Sequence, residues 1–277
     1  MTRGRGPRIS ACVSPSGQAI LAVRDLTVHF GGIVALEGVE FEVAEGQIVG
    51  LIGPNGAGKT TLFNCLSRIY TPDRGDVELR GRSLLPVPAH RIAELGLGRT
   101  FQNLALFPTM TVRQNVMVGV HSRTRSDFLS NALALPWVGR EERQTRRTAD
   151  ELLAFLGLEA VAEHPAAGLP YGTLKRVELA RALAGRPTLL LADEPAAGLN
   201  HEEVDTLGAI LRSIRDERGV TILLVEHHMG LVMQVSDRVV VLDFGRKIAE
   251  GSPAEIQRHP AVIRAYLGGD DALAAVR

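Results

Sequence analysis

Cysteine is almost missing from this chain: of 277 residues only Cys12 and Cys65 carry a thiol. Two lone thiols lack the spacing of a thiolate metal site and make a poor disulfide pair, which points to a reducing, cytoplasmic setting. Net charge is missing too, since 31 Lys and Arg cancel 31 Asp and Glu. Nothing global therefore marks a nucleic-acid binder, and no nucleic-acid partner is expected. Long apolar runs are absent as well: the longest candidates are broken by charges, glycine or proline, so the chain is expected to be soluble rather than to cross a bilayer. The start, MTRGRGPRIS, is basic, but the ACVSPSGQ that follows has no continuous apolar core, and a secretory signal is not expected. Residues 1–17 read as a flexible extension and 271–277 as a frayed terminus. What is present, 45% apolar and 22% charged residues, is ordinary for a globular protein with a full core.

The most informative segment is Gly53-Pro54-Asn55-Gly56-Ala57-Gly58-Lys59-Thr60-Thr61. Gln47 to Ile52 before it reads as a buried strand, and Leu62, Leu66 and Ile69 after it fall on one face of a helix. A glycine-rich turn between strand and helix is the context that a phosphate-binding loop requires. Glycines at 53, 56 and 58 are expected to keep β-carbons out of the way of phosphate oxygens, and the new helix aims its positive end at the same anion. Lys59 would reach the β- and γ-phosphates of a nucleoside triphosphate, and Thr60 would ligate Mg²⁺.

Elsewhere the pattern is α/β. Leu21 to Ile52 carries short β-segments with turns at Gly31-Gly32 and Glu45-Gly46, an antiparallel arrangement leading into the loop strand. Asp76 to Leu79 adds a short strand. From about 110 to 170 the character changes: a helix begins at Thr111, a Ser/Arg-rich stretch follows, and a charged helix carries Ala149, Leu152, Leu153 and Leu156 as an apolar stripe ending at Gly157. This reads as a helical lobe, about 105–185, inserted into the core, with Arg140 to Arg147 as its solvated face. Thereafter a strand at Thr188 to Ala192, a helix with Val204, Leu207, Leu211 and Ile214, and a strand at Val220 to Val225 predict a largely parallel sheet. Arg238 to Leu242 and Lys247 to Ala249 flank Asp243-Phe244-Gly245-Arg246 as a hairpin. Ser252-Pro253-Ala254-Glu255 then opens a terminal helix as a capping box.

A phosphate loop needs a carboxylate near its metal, and Leu189-Leu190-Leu191-Ala192-Asp193 presents one at a strand end. Asp193 is the expected metal-associated acid, and Glu194 would orient or deprotonate the attacking water. His227, after the strand Ile222 to Val225, falls at the same carboxyl edge, where open α/β sheets gather ligands. Gln102 is a further polar residue able to reach Mg²⁺ or water.

The order of these motifs resembles the ATP-binding subunit of ABC transporters, from about Ala22 to Leu267. GPNGAGKTT resembles the Walker A motif, Gln102 in RTFQN the Q-loop, and LLLADEP the Walker B motif with Glu194 as catalytic acid. Leu169-Pro170-Tyr171-Gly172-Thr173 resembles the signature motif, Ala197-Gly198-Leu199-Asn200 the D-loop, and His227 the switch histidine, while Phe30 occupies the place of the aromatic that stacks on adenine. The resemblance implies a P-loop ABC-ATPase core within residues 18–270, with a mostly parallel sheet, an N-terminal antiparallel β subdomain and an inserted helical subdomain. It also implies a dimer that clamps ATP and Mg²⁺ between Walker A of one subunit and the signature of the other, with Gln102 relaying closure to a permease. Two departures stand out: Leu-Ser-Gly-Gly-Gln appears as Leu-Pro-Tyr-Gly-Thr, and Asn200 stands where many relatives carry aspartate. The helix after the signature, with Leu174, Val177, Ala180 and Leu183 on one face, can still offer its N–H groups to phosphate.

GRTFQNLALFPTMTVRQNVMVG, YGTLKRVELARALA, DEPAAGLN, VEHHMGLVM and GSPAEIQRHPAVIRAYLG look like the branched-chain amino acid importer type. That type implies integral-membrane permease subunits, a second ATP-binding subunit, identical or different, and indirectly a solute-binding protein, with the chain peripheral on the cytoplasmic face of the inner membrane. The alternatives are import of another small solute such as urea or short amides, and a regulatory or soluble ATPase with weak hydrolysis.

Overall fold

A computed structural model of the chain describes residues 19–101, 104–120 and 136–267. Strands β1 (Ala19–Phe30) and β2 (Ile33–Ala44) form an antiparallel pair turned at Gly31-Gly32, with burial alternating over the second half of β2. Strand β4 (Arg74–Leu79) joins the other edge of β1, and the two-residue β5 (Arg82–Ser83) closes a four-stranded antiparallel sheet in the order β2-β1-β4-β5.

The second sheet has six strands in the order β10-β9-β3-β8-β7-β6, where β3 is Ile48–Ile52, β6 Leu97–Arg99, β7 Leu189–Asp193, β8 Thr221–Val225, β9 Arg238–Asp243 and β10 Arg246–Gly251. Every neighbouring pair is parallel except the β9-β10 hairpin. Its central strands are buried on both faces, which is why they read as unbroken apolar runs instead of alternating. Leu189, Leu191, Leu223 and Val225 face the antiparallel sheet and helix α1 (Lys59–Leu66). Leu190, Ala192, Ile222 and Leu224 face the helices on the other side.

Those helices are α2 (Val112–Val118), α3 (Pro136–Phe155), α4 (Tyr171–Ala184) and α5 (His201–Arg218). Ala149, Leu152, Leu153 and Leu156 are buried as the stripe predicts, and Gly157 ends the helix in the left-handed region. Helix α3 starts at Pro136, earlier than the charged run suggested; the Ser/Arg-rich stretch before it lies outside the described residues, as do 1–17 and 271–277. Helices α6 (Met229–Val235), α7 (Pro253–Arg258) and α8 (Pro260–Leu267) follow among the described residues, and the capping box at Ser252 and Glu255 is formed.

One expectation fails locally. Helix α1 stops at Leu66, so Ile69 is not on its apolar face but 53% exposed. The amides of Ile69 and Tyr70 both turn back to Asn64 O, which closes the helix before its face can extend. Among the described residues, no helix is long and apolar enough to cross a membrane.

Candidate functional site

Parallel neighbours β3, β8 and β7 end on the same side, and their carboxyl ends bring together the loop 53–58, the acids Asp193 and Glu194, and His227. The loop is gripped from behind. Gly245 N–H donates to Ala57 O at 3.1 Å, and Glu37 N–H donates to Gly245 O at 2.9 Å, so the β9-β10 turn and β2 buttress it.

This grip gives the glycines a further role. A β-carbon on Gly53 would lie 2.2 Å from Leu242 O, and one on Gly58 2.7 Å from Ala35 O, both backbone atoms of the scaffold. At Gly56, with φ of +79°, a β-carbon would meet nothing within 4 Å. At Gly53 and Gly58 the missing β-carbon lets the scaffold close on the loop, and at Gly56 the left-handed conformation favours glycine. Asn55, Gly56 and Thr60 face solvent, with Pro54 and Thr61 half-buried beside them. Lys59 is buried and donates from Nζ to Gly53 O at 2.6 Å and Pro54 O at 2.9 Å. Burial lowers its pKa, an effect partly offset by the Glu194 carboxylate.

Asp193 sits at the end of β7 in a buried ion pair: Arg99 Nη2 meets its Oδ2 at 2.9 Å, and both side chains are 8% exposed. From its other nitrogen, Nη1, Arg99 donates to Asn64 Oδ1 at 3.0 Å and Ser67 Oγ at 2.8 Å, which ties β6 and β7 to α1. Glu194 follows with φ of +47°, a conformation that costs a residue with a β-carbon about 1 kcal/mol. Its N–H donates to Val225 O at 2.9 Å. Its carboxylate Oε1 lies 2.8 Å from His227 Nε2. With the carboxylate ionised, Nε2 carries the proton.

Phe30 ends β1 and is 46% exposed, not a core aromatic, with the Tyr70 ring edge-on at 5.2 Å. Residues 169–173 lie apart in the helical layer, where Tyr171, Gly172 and Thr173 form the first turn of α4. Pro170 precedes that turn and provides no side-chain cap. Leu169 packs partly against the helical core, Tyr171 is exposed, and its ring rests against Gly198. Asn200 caps α5: its side chain accepts from Glu203 N, and Glu203 returns a bond to Asn200 N, each at 3.0 Å. Ala197 and Leu199 are half-buried in the turn before it. Gln102 lies outside the described residues. The residue before it, Phe101, donates its N–H to the buried Glu178 of α4 at 3.0 Å, and Arg181 of the same helix bonds Ala105 O on the far side.

Sequence reasoning missed Arg99, Glu178 and Glu226. Arg99 left a readable signal, because an arginine between Leu97 and Phe101 in a run headed for the core has to find a carboxylate. The three-residue β6 was also unmarked, being shorter than a pattern of period two can reveal.

A buttressed phosphate loop between β3 and α1, with an acidic strand end and a histidine beside it, defines a P-loop nucleoside triphosphatase. Residues 36–197 match the ABC transporter family model, and 246–272 match one described as branched-chain amino acid ATP-binding cassette transporter. The chain belongs to the ABC transporter family, as an ATP-binding cassette ATPase. It is 45% identical over 249 residues to the high-affinity branched-chain amino acid transport ATP-binding protein BraF of Pseudomonas aeruginosa, covering 90% of this chain and 98% of that one. Against LivG of Escherichia coli K12, which carries the same description, identity is 42% over 251 residues, covering 91% and 98%. Against the Fe(3+) ions import ATP-binding protein FbpC of Streptomyces avermitilis it is 37%, covering 92% and 70%. A crystal structure of the ADP conformation of an ABC transporter cassette superposes with a TM-score of 0.78 at 29% identity, covering 90% of this chain and 99% of that one. A dimeric, post-hydrolysis cassette bound to ADP and Pi gives 0.71 at 25%, covering 84% and 98%.

Proposed function

We propose that this chain powers import of branched-chain amino acids by hydrolysing Mg-ATP, as a peripheral subunit on the cytoplasmic side of a membrane permease. The observation that carries the chemistry is the Glu194–His227 hydrogen bond beside the phosphate loop. Glu194 accepts the proton of the attacking water, and His227 holds the carboxylate in place and faces the group being transferred. Loop amides from Gly56 to Thr60, the N-terminus of α1 and Lys59 receive the phosphates. To do so, Lys59 Nζ exchanges its two carbonyl partners for phosphate oxygens. Phe30 offers its exposed ring to adenine.

The residues also fit Mg²⁺. Among those described, no three His, Cys, Asp or Glu side chains form a cage, whereas the Thr60 hydroxyl and the Asp193 carboxylate are hard oxygen donors beside the phosphate loop, and Gln102, the further ligand expected from sequence, lies outside the described residues. That donor set suits a cation that keeps waters and takes the rest of its ligands from substrate phosphates. When bound, Mg²⁺ supplies charge neutralisation at the β- and γ-phosphates.

A second copy or a different cassette subunit would complete the site with its signature turn, Leu169 to Thr173, and its D-loop, Ala197 to Asn200. Support comes from the bare first turn of α4 and from the dimeric form of a similar cassette. Permease contact is supported by Phe101, Phe107, Met110 and Val118, large apolar side chains exposed around the Gln102 segment and α2. The cargo rests on the C-terminal match and on the margin in identity over an iron importer of the same family. The test is to isolate the chain with its membrane partners and add solute-loaded binding protein. Leucine, isoleucine or valine should stimulate ATP hydrolysis. Stimulation by urea or a short amide alone would replace this cargo.

A further inference from the structure

Glu226 closes β8 and is 3% exposed. Its carboxylate accepts on both oxygens: Oε1 from Ala196 N–H at 2.6 Å, and Oε2 from His227 N–H at 3.0 Å and His228 N–H at 3.3 Å. Burial pushes the acid's pKa up and the three N–H groups pull it back, while the charge that adds to the burial effect is another carboxylate, Glu194. A buried acid facing backbone donors and a like charge is costly to keep unless both of its oxygens are needed.

The need lies in what the donors belong to. Ala196 is two residues past Glu194, and His227 is the partner of Glu194. Glu194 N–H to Val225 O is one stitch between these two segments, and Ala196 N–H to Glu226 Oε1 is the next. Because Oε2 of the same carboxylate holds the backbone of His227 and His228, the turn that strains Glu194 and the loop that bears His227 are fastened to a single group. An amide of the same shape cannot replace it. Glutamine has one accepting oxygen, so its NH₂ would face N–H donors on one side or the other.

We propose that Glu226 is a positioning residue for hydrolysis: by accepting from Ala196 on one oxygen and from His227 and His228 on the other, it holds the Glu194–His227 pair in register. This rests on the hydrolytic reading above. Ala197 to Asn200 begin at the next residue, so the same carboxylate also anchors the start of the turn that would meet a second subunit.

Glu226→Gln, made in the full chain, separates this from a packing role. A role confined to packing predicts a variant whose stability changes, through the lost charge and the mispaired amide, while kcat does not. Positioning predicts instead that kcat falls by roughly tenfold or more with KM for ATP nearly unchanged. It also predicts that adding Glu226→Gln to His227→Ala costs less than about twofold further, because the two act through one contact. Glu226→Asp, which keeps two accepting oxygens, should recover part of the loss, and it carries the test if the Gln variant does not fold. Equal losses in the presence and absence of His227, or an unchanged kcat, overturn the proposal. Imidazole ¹⁵N–¹H resonances decide independently of turnover: His227 signals should move in Glu226→Gln, and unmoved signals sink the inference. Wild-type chain that never hydrolyses ATP would defeat the proposed function, and the resonances would still judge Glu226.

Discussion

On the proposed function the carboxyl edge of the parallel sheet and the signature turn both meet nucleotide, yet they are built in opposite ways. At the sheet edge every group is tied down: Asp193 by Arg99, Glu194 by Val225 O and His227, and the loop by Gly245. At the start of α4 there is no side-chain cap, Pro170 and Tyr171 are exposed, and Gly172 and Thr173 are half-buried. The half of the site that performs chemistry within one chain is held before ATP arrives, which is the arrangement electrostatic catalysis needs. The other half needs only a helix end with free N–H groups. That explains how Ser, Gly and Gln of the usual signature can be replaced by Pro170, Tyr171 and Thr173 while Gly172 is kept. A β-carbon on Gly172 would lie 2.4 Å from the Glu203 carboxylate that caps α5 with Asn200.

If the sheet edge depends on its ties, cutting the buried one should show most. Arg99→Met strands the Asp193 carboxylate, and denaturant unfolding should report a loss of about 3–5 kcal/mol, the usual result of removing one partner from a buried pair. A loss below about 1 kcal/mol would mean that the pair is no tie at all. Next, Lys59→Ala should weaken binding of a fluorescent ATP analogue to the isolated subunit by about 100-fold, as removing a charge-assisted bond does. Tyr171→Ala in the same assay should change affinity less than about twofold, since on the proposed function α4 meets the other subunit's nucleotide. Comparable losses in the two variants would erase the contrast between regions.

Much of this edge was legible in sequence because each element there has a strong local signal: glycines at fixed offsets, an apolar run ending in Asp193-Glu194, another ending before His227. Chain ends of strands are easy to locate, and parallel pairing then brings them together. What stayed hidden was tertiary. Arg99, Glu178 and Glu226 look like ordinary polar residues until partners distant in sequence, Asp193, Phe101 and Ala196, arrive beside them. Asn200 shows the converse: marked in sequence only as standing where many relatives carry aspartate, it is a helix cap, a job that asparagine and aspartate do about equally well. Ile69 was misplaced because apolar spacing gives a helix's face but not where the backbone turns off it.

The smallest expected effect concerns Glu178, which joins α4 to the segment entering Gln102. Burial raises its pKa, with Phe101 N–H opposing. A carboxyl whose folded pKa lies above its unfolded one favours the fold most when protonated, at low pH, and that contribution fades as pH rises through the folded pKa. Glu178→Gln should therefore gain stability relative to the parent as pH rises from below 4.5, the acid's ordinary value, to neutrality. Melting curves across that range measure it, and a difference independent of pH would show that the carboxyl is not held back by burial.

The most direct test of the account is a pair of measurements on Glu194→Gln: retention of Mg-ATP and the rate of phosphate release. Binding should stay within about threefold of the parent while turnover drops by about 100-fold or more, because only the group that takes the water's proton has been removed. Turnover that survives the substitution would contradict the assignment of the Glu194–His227 pair as the hydrolytic centre.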